Sequence, residues 1–227
     1  METKAFSELF PIFSNAQPET LDWFLSIVEE EEYPQEQTIL TEESWGTAVY
    51  FIVSGWVKLK RIDKEKAITL EIIGRGDFFG EVAILDESPR LTEVVTLSSV
   101  KLLSISAQRF IQMLLKDSQL QHRVLQLMVR RVRHLNTRFQ LRHHSPAMKL
   151  TQTLIFLAEQ YGQHTEKGKE IYQIPDRDLA DVADVSLEET SKIMEKLQRK
   201  GWVEIDRENR TLSLTNLKQL SHLALQI

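Results

Sequence analysis

The sequence predicts an α+β fold in three successive parts: a closed all-β unit, one long helix, and a helical unit that carries a two-stranded hairpin. Three observations predict it. Short apolar runs with period-two alternation fill the stretch from Thr38 to Ser104, separated by turn signals. A single apolar stripe at helical spacing runs from Leu120 to Phe139. Two amphipathic segments joined by a tight turn, followed by two strand-like runs around a polar tip, close the chain.

Bulk properties narrow the function classes. A length of 227 residues allows one large domain or two small ones. Apolar content of 42% and charged content of 27% suit a globular protein with real cores. The net charge of -5 gives no general attraction to nucleic acid or to an anionic membrane, so any nucleic-acid contact needs a local basic patch. The absence of cysteine excludes disulfides, thiolate nucleophiles and cysteine-ligated zinc or iron–sulfur clusters, and fits a reducing compartment. No apolar run approaches the ~18 residues that span a bilayer, and the N-terminus has no secretion-signal pattern. No membrane partner is expected, and the cytoplasm is the expected location.

Met1 to Glu32 reads as helix, with Pro18–Glu19 beginning a turn-and-helix segment in which Leu21, Phe24, Leu25 and Val28 fall at helical spacing, and Glu29 to Glu32 as its solvated end before Pro34. Strands are expected at Thr38–Leu40, Val49–Val53, Trp56–Lys60, Ile68–Ile73, Val94–Leu97 and Lys101–Ile105, as in a barrel or roll. Between the fourth and fifth lies the loop Phe78 to Arg90. It opens with Gly80, whose bare backbone permits close approach of a ligand. Glu81 follows, and Arg90 comes nine residues later. Such a loop can offer N–H groups and a guanidinium fork to a phosphate, with the carboxylate accepting from a sugar hydroxyl. Ordinary turn chemistry with a surface arginine is the competing reading.

Helical spacing returns at Gln108. After Gln119, Leu120, Val124, Met128, Val132, Leu135 and Phe139 form one continuous stripe. A stripe this long exceeds what a small roll covers, so pairing with a second copy is expected. His143–Pro146 breaks the helix, with Ser145 as N-cap and Pro146 at the first position of the next. The adjacent histidines do not point the same way on a helix, which argues against a metal there. Ala147 to Tyr161 reads as helix, Gly162 to Gly168 as loop, and Ile171–Ile174 as a short strand. A helix opens at Pro175–Asp176, turns at Asp184–Val185, and is followed by a second helix from Ser186, where Glu189 completes a capping box. Val203–Ile205 and Thr211–Leu214 flank Arg207–Arg210 as a hairpin. Two helices, a short turn and a two-stranded wing make a winged helix-turn-helix.

This order of parts resembles the cyclic-AMP receptor (CRP/FNR) family of bacterial transcription regulators. The likeness runs from about Phe10 to Leu223 and includes Val49–Gly55 with Val57–Leu59, Gly76–Glu81, Leu179–Ala180 and Val185–Ser186. The resemblance implies a cyclic-nucleotide-binding-like β-roll as effector domain (residues 1–118), a dimerisation helix and hinge (119–144), and a winged helix-turn-helix DNA-binding domain (145–227). It implies double-stranded DNA, a second copy of the chain and RNA polymerase as partners. It puts Gly80 and Glu81 at a ribose and Arg90 on a phosphate, with Thr92 as a neighbouring hydroxyl and Arg130 and His134 on the long helix near the ligand. The family's serine and alanine after the arginine are Leu91 and Thr92 here, and the adenine-contacting threonine and serine align with His134 and Leu135. Loss of those hydrogen bonds argues against cyclic AMP by about 2–5 kcal/mol. A different nucleotide, another small anion, or no ligand at all remain. No cysteines and no histidine before His122 leave no basis for an iron–sulfur or haem sensor of the family's type.

For DNA, the resemblance places base-reading residues after Ser186. Leu187 stands where an arginine is common, Glu188 is retained, and Lys192 replaces a second arginine, so the target sequence is expected to differ. Lys192, Lys196, Arg199, Lys200, Arg207 and Arg210 form the expected phosphate-contacting set. No enzyme activity is expected: no nucleophile–base set or metal motif appears.

Overall fold

The computed structural model describes residues 3–64 and 66–225; Met1 and Glu2, the start of the expected first helix, lie outside the described residues. The chain forms two compact units, Met1–Arg61 with Ile73–His134, and Ile62–Ile72 with Leu135–Ile227.

The first unit begins with α1 (Thr3–Leu9), a single 3-10 turn (Pro11–Phe13) and α2 (Pro18–Ile27) rather than one helix. Prolines at the first position of both later segments explain the breaks, since Pro starts helices and cannot continue them. The helices supply Phe6, Phe10, Phe13 and Phe24 to an aromatic core with Phe51 and Phe78. Their ring centroids lie 4.7 to 5.7 Å apart. Such packing contributes beyond area burial, by about 0.5–1.5 kcal/mol per pair.

Strands follow: β1 (Glu29–Tyr33), β2 (Thr38–Leu40), β3 (Ala48–Ser54), β4 (Trp56–Asp63), β5 (Lys66–Gly74), β6 (Phe78–Phe79), then α3 (Glu81–Leu85), β7 (Glu93–Thr96) and β8 (Val100–Ser106). They make two four-stranded sheets, ordered β1-β8-β3-β6 and β2-β7-β4-β5. The glutamate run expected to be a helix end is β1, antiparallel to β8, with Glu31 opposite Leu102. Backbone pairing with β8 overrides the poor strand propensity of glutamate. Glu30 pairs with Lys101 at 2.6 Å, and carboxylates along an edge strand discourage further pairing. Helix α3 was expected to be loop; it is one short turn set inside the Phe78–Arg90 segment, the cassette.

Helices α4 (Ala107–Lys116) and α5 (Ser118–Leu141) follow. Asp117 joins them: its carboxylate accepts from the N–H groups of Gln17 (2.8 Å), Gln119 (3.0 Å) and Leu120 (3.1 Å), capping α5 and tying α2 to it.

In the second unit, α6 (Pro146–Tyr161) starts at Ser145, whose hydroxyl accepts from Met148 N–H. Next come β9 (Gln163–Thr165), β10 (Gly168–Tyr172), α7 (Asp176–Ala183), α8 (Leu187–Arg199), β11 (Val203–Asp206), β12 (Thr211–Leu214) and α9 (Leu217–Leu225), which packs on α6. The sheet order is β11-β12-β10-β9. Two elements differ from expectation. The stretch Gly162–Gly168 contains β9, a strand formed by pairing with β10 rather than by its own pattern, and α9 lies beyond the expected hairpin. The tip Ile62–Ile72 is fastened inside this unit. Thr69 donates from its hydroxyl to Asp178 (2.6 Å) and from its N–H to Asp181 (3.0 Å). Arg138 donates to the carbonyls of Leu70 (2.8 Å) and Val182 (2.7 Å).

Candidate functional site

The cassette is built on a left-handed turn. Gly80 has φ of 93°, and a Cβ there would sit 2.7 Å from the carbonyl oxygen of Ala48. Only glycine lets β6 turn into α3 this close to β3. Glu81 follows with its side chain 1% exposed. Burial pushes its carboxyl up, and the Arg131 guanidinium opposes that shift. Arg131 donates to the Glu81 carboxylate, to Asp77 Oδ1 at 2.7 Å and to the Phe78 carbonyl at 2.8 Å. Its guanidinium also lies 5.0 Å from the Phe78 ring centroid.

Arg90 is 9% exposed and is gripped along one edge only. Its N–H donates to Ser44 O and its carbonyl accepts from Glu43 N–H, both at 2.9 Å. Nη1 donates to Ser44 Oγ and to Trp45 O, both at 3.0 Å. Nε and Nη2 are buried and have no hydrogen-bond partner. These two nitrogens form the opposite edge of the guanidinium, which matches a pair of oxygens on a carboxylate or phosphate. Burial lowers the Arg90 pKa, with the Tyr50 phenol opposing. Arginine remains charged regardless. A buried fork with two orphan donors costs about 1–3 kcal/mol per group, which an anion would recover.

Several expected residues fall elsewhere. Arg130 is exposed, and the helix residue that reaches Glu81 is Arg131. Leu120, Val124 and the core-packed Leu127 and Met128 mark the inward face of α5, and Arg131 continues it at spacings of three and four. His134 is half-buried on α5. Thr92 is half-buried and Leu91 exposed in a bend before β7. Asp77 was not expected to take part; its place directly before the F-F-G-E run was the available signal.

The expected single stripe on α5 is two stripes. Leu120 and Val124 are buried in the core of the first unit. Leu125, Val129, Val132, Leu135 and Phe139 are 46% to 63% exposed. Steps of four residues advance by about 40° around a helix, so a run of such steps rotates off its starting face.

In the second unit, Asp184 at φ of 53° turns the chain between α7 and α8. Ser186 caps α8: its hydroxyl accepts from Glu189 N–H at 3.3 Å and donates to the Glu189 carboxylate at 2.7 Å. Ser191 donates to Asp176 at 2.9 Å, tying α8 to α7, while Met194 and Leu197 are buried. Leu187, Glu188, Lys192, Lys196 and Arg199 are exposed, with Lys192 paired to Glu188 at 2.5 Å. At the hairpin tip Asp206 accepts from the N–H groups of Glu208 and Asn209, both at 3.0 Å, which presents Arg207 and Arg210 to solvent. An exposed helix face and a basic tip can meet the acidic backbone of a duplex despite the net charge. Among the described residues, no group of three His, Cys, Asp or Glu is placed to hold a metal, and no helix is long and apolar enough to cross a membrane.

Residues 30–117 match the cyclic nucleotide-binding domain model, and residues 148–223 match the Crp-like helix-turn-helix domain model. The chain is 28% identical over 199 residues to the cyclic AMP receptor protein of Thermus thermophilus, covering 86% of this chain and 88% of that one. It is 23% identical over 200 residues, with the same coverage of 86% and 88%, to a CRP-like cAMP-activated global transcriptional regulator of Mycobacterium tuberculosis. Among solved structures, Thermus thermophilus catabolite activator protein superposes with a TM-score of 0.52 at 27% identity, covering 94% of this chain and 98% of that one. FixK2 from Bradyrhizobium japonicum shares the fold, with a TM-score of 0.75 at 16% identity over 88% of this chain and 99% of its own.

Proposed function

The chain belongs to the CRP/FNR family of bacterial transcription regulators, and on that premise we propose a homodimer whose DNA binding is governed by a small anion held at Arg90. The observation that carries the effector reading is the buried Arg90 fork, with Nε and Nη2 unpartnered. Buried polar groups that serve only the fold are as a rule hydrogen-bonded, so an orphan edge points to a ligand. Gly80 gives the anion backbone access, and the Glu81–Arg131 clasp ties the cassette to α5. Occupancy therefore bears directly on the helix whose outer face pairs with a second copy.

The exposed stripe Leu125, Val129, Val132, Leu135 and Phe139 supports that pairing, since exposed apolar residues at this spacing form a coiled-coil seam. Two copies related by a two-fold axis set two α8 helices against successive major grooves, about 34 Å apart. Leu187 and Glu188 read bases, and Lys192, Lys196 and Arg207 hold phosphates. The working site is the cytoplasm, and contact with RNA polymerase belongs to the same reading. No reaction is proposed.

Selection of binding sequences from a random duplex pool tests the scheme. Enrichment of a two-fold symmetric site with half-sites one helical turn apart is expected. An asymmetric site, or none, contradicts the paired arrangement.

A further inference from the structure

The surroundings of Arg90 differ from those a nucleoside needs. Sugar and base edges are read by hydrogen-bonding groups, and in the cassette one such group, the Glu81 carboxylate, is buried and already engaged. The Glu81 carboxylate is clasped by Arg131 and is 1% exposed. The position after Arg90 is a leucine. Beside the cassette turn lies hydrocarbon, with the Tyr50 phenol as the polar group that bears on Arg90. The wall beside Gly80 is Leu40 and Tyr50, each 3.6 Å from where a Cβ would stand, and Tyr50 stacks on Phe79 with centroids 5.2 Å apart.

The rim is apolar as well. Trp45, whose carbonyl holds Arg90 Nη1, is 64% exposed, and Leu91, next to Arg90, is 66% exposed. Val82 and Leu85 lie one helical turn apart on α3 and are 55% and 41% exposed. The loop carrying Trp45 packs on α3, since a Cβ on Gly46 would meet Ile84 at 2.7 Å. Four large side chains left in water on α3, the Trp45 loop and the residue after Arg90, with one guanidinium edge of Arg90 buried and unpartnered, are an unusual arrangement unless a ligand covers both.

We infer that the effector is an anion joined to a hydrocarbon body, an alkyl or aryl phosphate or carboxylate, with its two oxygens on Arg90 Nε and Nη2 and its apolar part against Trp45 and Leu91. This rests on the assignment of Arg90 as the anion site and specifies what that anion carries. Each methylene that leaves water for the rim tightens binding about fourfold, so a hexyl chain with most of its length covered gains on the order of a hundredfold over the bare anion.

Isothermal titration calorimetry of the full chain with n-hexyl phosphate, inorganic phosphate and cyclic AMP tests it. The expected order is hexyl phosphate tightest, by about a hundredfold over inorganic phosphate. Leu91→Ser and Trp45→Ala change exposed residues, so both variants fold; each is expected to weaken hexyl phosphate about tenfold and leave inorganic phosphate unchanged. Arg90→Gln and Arg90→Lys are expected to weaken both anions, because each loses the fork. Equal binding of the two phosphates, or tightest binding of cyclic AMP, overturns the hydrocarbon body while leaving Arg90 as the anion site. Binding of none of the three, or binding indifferent to Arg90→Gln, overturns the Arg90 site itself.

Discussion

Replacement of Val132 by aspartate puts the pairing seam under direct load. Val132 sits at the middle of the outer stripe of α5 and is 55% exposed in the single chain. Covering a whole valine side chain contributes about 1.5–3 kcal/mol, so covering half contributes roughly 1 kcal/mol. Symmetry removes that twice. Each introduced carboxylate then faces Val129, Leu135 or their mates, and burying an unpaired polar group costs about 1–3 kcal/mol more per copy. The sum is about 4–8 kcal/mol, close to a thousandfold or more in the dimer dissociation constant. Size-exclusion chromatography with light scattering at micromolar protein reads it: twice 26.4 kDa for the natural chain, 26.4 kDa for Val132→Asp. Arg130→Asp, exposed but off the stripe, keeps the dimer mass. A Val132→Asp variant that stays dimeric refutes the placement of the seam on this face.

Three further outcomes are expected. Lys192→Ala weakens duplex binding across sequences and lowers the slope of log affinity against log salt by about 1, read by fluorescence anisotropy. Asp117 lies fully buried; burial pulls its carboxyl up, but hydrogen bonds from Gln17, Leu120, Thr20 and Gln119 outweigh this and leave it below its ordinary 3.8. A lowered carboxylate stabilises the fold above the unfolded value and loses that contribution as pH falls through the folded one. Asp117→Asn is therefore about 1–3 kcal/mol less stable at pH 7, with a shallower loss below pH 4, in urea titrations across pH. Thr69→Val removes the donor to the buried Asp178 carboxylate and lowers the stability of the second unit by about 1–3 kcal/mol, with faster amide exchange at Ile62–Ile72.

What the sequence carried and what it did not can be traced to the range of the interactions involved. Caps and turns are local, so Ser145, Ser186, the Asp184 turn and the hairpin at Arg207–Arg210 were readable from neighbouring residues alone. The period-two runs likewise marked six of the strands. Glu29–Tyr33 was not readable because its strand character comes from β8, distant in the chain, and Gln163–Thr165 was not because it is a short polar run made a strand only by pairing with the adjacent β10. On α5 the apolar positions were found, but the face each occupies was not. A pattern with three successive steps of four winds around the helix, and only packing against the Phe51 core separates Val124 from Val132.

The same ambiguity of face left Arg131, which reaches Glu81, unread beside Arg130, which is exposed. In the cassette, Gly80, Glu81 and Arg90 were legible from residue type and spacing. The orphan edge of Arg90 was not, since it depends on which nitrogens Ser44 and Trp45 occupy.

The most direct measurement is duplex affinity of the natural chain and of Arg90→Gln, each before and after co-purified small molecules are stripped by denaturation and refolding. On this account the natural chain changes its affinity on stripping and recovers when the extracted fraction is returned, while Arg90→Gln is indifferent to both treatments. An affinity that stays the same in the natural chain throughout, or a response that persists in Arg90→Gln, contradicts control of DNA binding through Arg90.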